Sequence, residues 1–260
     1  MQLLQQRDVC VATVDLRGHG ESHKAPPPHS LEEFCRDLDV IMGKLSSTEP
    51  EVWAPERVVV VGHSYGGNLA LQWVTTSKLG RCVRLCVCVD GGYISLNRHF
   101  ATADDAVANL VPAAFEIPAP RLPQVLMQWF PAFSPEAINA FLSNFTTDMQ
   151  TDRAELRLAV ETHKDILRDL WQHPPTRGSG GPPIVVMPTG DNTPFAPDKH
   201  ADVASLQALA LPLEVRWFPD ENHLFPFQSP TVLMEAVMAV MDQYPCVALQ
   251  DREGETKLLS

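Results

Sequence analysis

The 260-residue sequence has no long uninterrupted apolar run, and its N-terminus has neither the positively charged nor the apolar region of a signal peptide. These absences argue against a membrane-spanning helix and predict a cytoplasmic protein, unless a targeting segment precedes Met1. Positive charge is also scarce, because 20 lysines and arginines stand against 32 aspartates and glutamates, a formal net charge of −12. No compensating basic run occurs, so we expect no binding to nucleic acid or to an anionic membrane.

Cysteine offers no pattern of ligands or crosslinks. The six cysteines show neither the pair spacing of a metal site nor the layout of secreted disulfides, so we expect no metal, no cofactor and a reducing compartment. Cys82, Cys86 and Cys88 alternate along one predicted strand and are expected on one sheet face as small core residues. The chain is 45% hydrophobic and has no low-complexity stretch, which allows one large core plus an inserted subdomain.

The most informative segment is a run of four valines, residues 58–61, followed by Gly62-His63-Ser64-Tyr65-Gly66 and an apolar helical sequence. The valines are typical of a strand buried on both faces. A Gly-x-Ser-x-Gly turn between such a strand and a helix is typical of a nucleophile elbow, in which strain lifts the serine hydroxyl clear of the sheet. The alternative is an ordinary glycine-rich strand-to-helix turn.

A serine nucleophile needs a base within hydrogen-bond reach and a carboxylate that orients the base. Two later strands are each followed by a suitable residue: Asp191 comes after residues 183–188, and His223 comes after residues 213–218. Since open α/β sheets place their sites at the carboxyl ends of strands, we expect both residues to meet Ser64 there.

Each of these assignments has a structural alternative. His223 is otherwise a solvated loop histidine, and Asp191 is otherwise a turn-capping residue, because Gly-Asp-Asn is favourable turn chemistry. Asp90 is the second candidate for the acid, since it also ends a predicted strand near the elbow. His19 and His63 lie within motifs but have no role in a triad, so we expect them to pack or hydrogen-bond beneath the site.

At this point the sequence resembles the α/β-hydrolase fold family. Residues 15–22, Asp-Leu-Arg-Gly-His-Gly-Glu-Ser, are similar to the loop after that family's fourth strand, and residues 62–67 are similar to its elbow. Residues 188–194 resemble its acid turn, and residues 219–226 resemble its histidine loop. The resemblance covers about residues 8–243.

The resemblance implies a mostly parallel central sheet flanked by helices, with Ser64 as nucleophile, His223 as general base and acid, and Asp191 as the orienting carboxylate. It also implies that the backbone N–H of Tyr65 is one donor of the oxyanion hole. The second donor belongs to a loop that would precede Met1, and residues 9–14 resemble the family's fourth strand. We therefore expect an N-terminally incomplete sheet.

The strand pattern predicts a core interrupted by one helical insertion. Residues 1–94 are assigned to the first part of the core, 95–180 to a helical cap, 181–245 to the second part of the core and 246–260 to a charged tail. Within the cap, helices are predicted near residues 104–111, 121–130, 134–145 and 152–171. An insertion at the carboxyl end of the strands would roof the active site.

Aromatic residues are concentrated in the predicted cap and beside the triad loops, where they favour a largely apolar pocket: Phe115, Trp129, Phe130, Phe133, Phe141, Phe145, Phe195, Phe225 and Phe227. We therefore predict a serine hydrolase that acts on a small or medium ester-like substrate through an acyl-enzyme. Carbon–carbon bond hydrolases and cofactor-free haloperoxidases share the triad and stay open as alternatives. A hydrolase-like binding protein and an inactive fragment are the rival classes, and the only partner predicted is a small molecule, with no oligomeric state specified.

Overall fold

The computed structural model describes residues 9–22, 29–111, 117–148, 150–176, 180–190, 198–209 and 212–246. Its centre is a parallel sheet of four strands in the order β1-β2-β5-β6, and a separate antiparallel hairpin is formed by β3 and β4. The strands are β1 Val59–His63, β2 Leu85–Val89, β3 Phe145–Asp148, β4 Arg153–Leu156, β5 Ile184–Met187 and β6 Leu213–Val215. The predicted mostly parallel sheet flanked by helices is confirmed.

Helices precede, connect and follow these strands. They are α1 Leu31–Thr48, α2 Pro50–Trp53, α3 Tyr65–Thr76, α4 Leu96–His99, α5 Ala103–Leu110, α6 Leu122–Trp129, α7 Pro135–Leu142, α8 Val160–Gln172, α9 Lys199–Gln207, α10 Phe225–Gln228 and α11 Pro230–Gln243. Within the described ranges, no helix is both long and apolar enough to cross a bilayer.

Strand β2 is the innermost part of the core, and all five of its residues are buried. Cys86 and Cys88 face the cluster that α1 and α3 complete, whereas Leu85, Val87 and Val89 face the cluster that includes α10 and α11. This two-sided burial is what a continuous apolar run in a parallel sheet predicts. The prediction for Cys82 is wrong, because this exposed residue lies in a short turn, Gly80–Cys82, before the strand begins.

Helix α1 begins where its sequence predicts. Ser30 caps it by accepting a hydrogen bond of 3.3 Å from the backbone N–H of Glu33. Its four buried residues recur at helical spacing and pack against the sheet face that α3 also covers; they are Leu31, Phe34, Cys35 and Met42.

The segment 95–180 differs in part from its prediction. Helices α5, α6 and α7 match the predicted helices closely, but residues 153–156 are strand β4 rather than the start of a long helix, and α8 begins only at Val160. Phe145 and Ala154 point from the hairpin into an apolar cluster with α6 and α7. Burial of alternate residues therefore favours strands here over the helix expected from the sequence. The boundaries of this segment as a domain stay a prediction.

The predicted strand at residues 9–14 is not observed, since these residues form no ladder. A strand needs a neighbour for its backbone hydrogen bonds, and β1, the strand nearest in sequence, is one of the two edge strands of the described sheet. The exposed side chain of Val61 on β1, 49% accessible, marks the same edge.

The carboxyl ends of β1 and β2 approach each other without room for a side chain. A Cβ atom added to Gly91 would lie 2.1 Å from the backbone oxygen of Ser64, and one added to Gly67 would lie 2.9 Å from the backbone carbon of Gly91. Backbone atoms on both sides prevent an easy adjustment, so glycine at position 91 fixes the distance between the two strand ends.

We expect Gly91→Ala to lower the free energy of unfolding by about 2 kcal/mol or more, because the added methyl group clashes with backbone. The matched control is Gly43→Ala in α1, where an added Cβ meets nothing within 4 Å. That substitution should instead stabilise the protein by about 0.5–1 kcal/mol through helix propensity. Urea denaturation of the three proteins measures both values, and equal stability of the two variants would contradict the steric argument.

Candidate active site

Ser64 occupies the turn between β1 and α3. Its backbone angles are φ 54° and ψ −123°, a region that residues other than glycine rarely adopt, and its N–H donates a 3.0 Å hydrogen bond to the oxygen of Val89. Such strain persists only where the surrounding structure imposes it and is common at functional sites. The predicted elbow geometry is therefore present at Ser64.

The glycines of the elbow contribute unequally. A Cβ on Gly62 would lie 2.1 Å from the backbone oxygen of Gly66, so the strand could not turn back over the helix with a side chain there. A Cβ on Gly67 would lie 2.9 Å from the backbone carbon of Gly91. Gly66 itself has open space around it, so the close backbone approach at the elbow depends on Gly62 and Gly67.

His223 lies in the loop after β6, next to the elbow. Its backbone oxygen is 2.7 Å from the Nε2 atom of His63, the residue before Ser64, and the centroids of the two imidazole rings are 4.9 Å apart. Since a carbonyl only accepts hydrogen bonds, His63 Nε2 is the donor. His63 thus hydrogen-bonds beneath the site, as expected, and it places His223 beside the serine turn.

The described carboxylate that contacts His223 is Asp90, the second candidate from the sequence. Its Oδ2 atom lies 2.7 Å from His223 Nδ1. Asp191, the first candidate, lies outside the described residues, so its role stays a prediction. Asp90 follows β2 directly, and the register that pairs His63 with Val89 places Ser64 and Asp90 at neighbouring strand ends.

Asp90 is 2% exposed and accepts hydrogen bonds from several donors. The hydroxyl of Tyr93 and the backbone N–H of Thr189, at 3.0 Å, both donate to Oδ1. Burial alone would raise the pKa of Asp90, but the hydrogen bonds and the nearby Lys199 ammonium hold that pKa well below its usual range. The carboxylate is therefore ionised at neutral pH and available to orient His223.

Lys199 is a site residue that the sequence analysis missed. It is 4% exposed at the start of α9, and its Nζ atom lies 3.0 and 3.3 Å from the two oxygens of Asp90. The same Nζ donates to the backbone oxygen and the hydroxyl of Thr189, at 2.9 and 3.2 Å. A lysine at the start of a helix is ordinarily predicted to be exposed to solvent. No motif in the sequence indicates that Lys199 would contact Asp90.

Tyr65 is the first residue of α3, where a backbone N–H has no acceptor within the helix. Its ring packs edge-on against Phe34, with centroids 5.7 Å apart. Within the described part of the chain its hydroxyl is buried without a hydrogen-bond partner, and burial raises the pKa of the phenol. The side chain of Tyr65 is therefore a packing group, while the role of its N–H as an oxyanion donor stays a prediction.

An aromatic cluster connects the segment 95–180 to the histidine loop. The ring of Phe227, on α10, stacks on Phe133 at 5.9 Å and meets Phe141 edge-on at 5.4 Å. Phe130 stacks on the other side of this group, 4.9 Å from Phe133. Several of the aromatic residues singled out in the sequence thus pack together close to His223.

Comparison with known proteins places the chain within a family by its sequence and its fold. A family model described as alpha/beta hydrolase family matches residues 1–236. No curated protein matches the chain.

The described residues contain no group of three or more histidine, cysteine, aspartate and glutamate side chains arranged to hold a metal ion.

Solved structures with similar folds include E-2-(acetamidomethylene)succinate hydrolase, which is 18% identical, with 87% of this chain and 79% of that chain covered and a TM-score of 0.67. A peroxisomal alpha-beta-hydrolase from Saccharomyces cerevisiae is 14% identical, with 97% and 78% covered and a TM-score of 0.65. The thioesterase domain from the curacin biosynthetic pathway is 16% identical, with 86% and 79% covered and a TM-score of 0.58. These similarities show a shared fold.

The stability of the protein should depend on pH through His63. Burial lowers the pKa of His63 to about 4, and the nearby His223 acts in the same direction. Between about pH 6.5 and pH 4 the unfolded chain therefore binds a proton at this histidine that the folded protein excludes, so stability falls as pH falls. The loss attributable to His63 is at most about 3 kcal/mol.

We expect His63→Gln, whose amide can still donate to the oxygen of His223, to make the loss of stability between pH 7 and pH 4.5 smaller than in the unchanged protein. Urea denaturation across this range measures the difference. His173→Gln is the control, because that side chain is 61% exposed, and it should not reduce the loss. An unchanged pH dependence in His63→Gln would show that His63 is not buried in its neutral form.

Proposed function

Because the chain belongs to the alpha/beta hydrolase family, we propose that it is a serine hydrolase in which Ser64, His223 and Asp90 form the catalytic triad. The observation that carries the proposal is the 2.7 Å contact between His223 Nδ1 and Asp90, beside a strained serine turn. Asp90 replaces Asp191 in this proposal, because a described contact supports it.

Asp90 determines which nitrogen of His223 acts as the base. An ionised carboxylate accepts only, so the proton of a neutral His223 lies on Nδ1, and Nε2 carries the lone pair. Nε2 then takes the proton of the Ser64 hydroxyl as the oxygen attacks a carbonyl carbon, and the imidazolium that forms is stabilised by Asp90. The proton passes to the leaving group, which departs and leaves an acyl-enzyme.

The second half of the reaction uses the same groups. His223 removes a proton from water, water attacks the acyl carbon, and the proton returns to Ser64 as the acid product leaves. The backbone N–H of Tyr65 donates to the oxyanion of each tetrahedral intermediate. A donor of this kind acts mainly in the transition state, where charge accumulates on the oxygen.

The substrate proposed is a small or medium, largely apolar carboxylic ester or thioester. The support is the aromatic cluster of Phe133, Phe141 and Phe227, of which Phe227 lies four residues along the chain from His223. We propose that the segment 95–180 covers the site as a cap, so that the acyl group lies against apolar side chains while the carbonyl lies at the sheet edge.

We expect the protein to hydrolyse short-chain p-nitrophenyl esters and Ser64→Ala to reduce kcat/KM by about 10⁴-fold or more, since the nucleophile is lost. A fluorophosphonate probe should label the unchanged protein once, at Ser64, as located by mass spectrometry. Ser143→Ala, which removes an exposed serine hydroxyl after α7, is the control and should keep full activity. Equal rates for Ser64→Ala and the unchanged protein would refute the nucleophile.

The two candidate acids are separated by a pair of matched substitutions. We expect Asp90→Asn to lower kcat about 10³–10⁴-fold, because the amide can no longer hold the required imidazole tautomer. Asp191→Asn should change kcat by less than about tenfold if Asp191 serves only its turn. Far-UV circular dichroism of each variant gives the folded fraction to which its rate is referred, and a larger loss in Asp191→Asn would return the role to Asp191.

A further inference from the structure

A buried lysine lies on the carboxylate that orients His223. Lys199 contacts both oxygens of Asp90, at 3.0 and 3.3 Å, while His223 Nδ1 contacts Oδ2 at 2.7 Å. One carboxylate therefore serves an ammonium and an imidazole together. A Ser-His-Asp triad requires only the contact between the carboxylate and the imidazole.

The two carboxylate oxygens of Asp90 have hydrogen-bond donors other than the ammonium of Lys199. Tyr93 and the N–H of Thr189 already donate to Oδ1, and His223 donates to Oδ2. Removing an ammonium from water costs free energy that a buried ion pair often fails to recover, and an apolar side chain of similar volume commonly does as well or better. The presence of Lys199 therefore calls for a role beyond stability.

The charge of Lys199 changes what Asp90 can do for His223. In hydrolysis the carboxylate stabilises the imidazolium that forms as the serine proton is taken. A cation on the same carboxylate offsets part of that negative charge, and it repels the imidazolium across a poorly solvated space where charges interact strongly. Neutral imidazole is favoured as a result, so the base stays available at lower pH.

We propose that Lys199 is a positioning residue that holds Asp90 toward His223 and, by its charge, moves the acid limb of hydrolysis to lower pH. The proposal rests on the hydrolase function proposed above. Lys199 touches neither Ser64 nor a reacting atom in the described contacts, and it acts through Asp90.

Other charged groups of α9, within the described part of the chain, have contacts of their own. On α9, Asp202 is buried against His99 Nε2 at 2.6 Å and Arg98 Nε at 2.9 Å, and Asp198 lies 3.6 Å from His99 Nδ1. The ring of His200 stacks on Trp217 at 4.1 Å.

Among the residues that the structure describes, further titratable groups lie on the elements that carry Asp90 and His223. Tyr93 follows β2 and donates to Asp90, and His63 ends β1 beneath His223. The histidine loop itself carries Asp220 and Glu221. None of the variants used in the test changes these two residues, so their effect on His223 is the same in all of them.

The test removes the charge of Lys199 in two ways and reads His223 directly. Lys199→Gln keeps a hydrogen-bond donor toward Asp90 and Thr189 but removes the positive charge. Lys199→Met keeps a side chain of similar length but removes both the donor and the charge. Lys44→Met, at an exposed lysine of α1, is the matched control. NMR of isotopically labelled histidine follows protonation of the His223 ring, with its signal assigned by its loss in His223→Gln.

We expect both Lys199 variants to shift the midpoint of His223 protonation upward by about one pH unit, a tenfold change in proton affinity, because the opposing cation is gone. The acid limb of kcat/KM for a p-nitrophenyl ester should move by the same amount. Lys44→Met should move neither midpoint. If Lys199 were only structural, its variants would lower the melting temperature and leave the His223 midpoint in place, which would overturn the proposal.

The readouts separate this inference from the proposed function. A shifted His223 midpoint without ester hydrolysis in any protein refutes the hydrolase and keeps the coupling, whereas hydrolysis without a shift refutes the coupling alone. If neither variant folds, ¹⁵N NMR of lysine side chains in the unchanged protein decides. A Lys199 signal typical of an ammonium at pH 7 supports the proposal, and one typical of a neutral amine overturns it.

Discussion

The carboxylate of Asp90 is the interaction on which the carboxyl edge of the sheet depends. It connects the end of β2 to the segment that follows β5, to the first residue of α9 and to the loop after β6, through Thr189, Lys199 and His223 respectively. Each connection is a hydrogen bond to an ionised group, which is stronger than one between neutral groups. If Asp90 were protonated or removed, the buried ammonium of Lys199 would lose its counter-ion and His223 would lose the contact that sets its tautomer, so packing and proposed chemistry would fail together.

Strain is concentrated at the same edge. Ser64 and Asp90 both have positive φ angles, of 54° and 41°, and both stand one residue beyond strand ends that pair in parallel register. Each such residue costs of order 1–3 kcal/mol and needs a rigid setting to hold it. Strand β2 supplies that setting because it is buried on both faces, and Gly91 lets the two strained backbones approach where a larger residue would separate them. The strained backbone at the polar edge of the sheet therefore depends on the buried apolar strand beneath it.

Sequence patterns predicted those features of the structure that depend on residues close together along the chain. The valines and glycines around Ser64 specify an elbow, and His223 follows a strand whose place in the sheet is clear from its order. Asp90 and Asp191 both end apolar strands, so sequence alone could not choose between them; the choice depends on which strand end meets the imidazole. Lys199 is further from prediction, because its partners Asp90 and Thr189 come from separate strands. The hairpin of β3 and β4 was missed for a related reason, since its burial pattern is set by helices α6 and α7.

The position of His223 is maintained by independent contacts, which is necessary because β6 is only three residues long and its loop could not fix a side chain alone. The bond from His63 holds the backbone of the loop, and Asp90 holds the ring. A third contact is apolar: Phe227, on the helix that follows, packs against Phe133 and Phe141 of the segment 95–180. Polar contacts aim the imidazole within the core, while aromatic contacts couple its loop to a segment that lies outside the sheet.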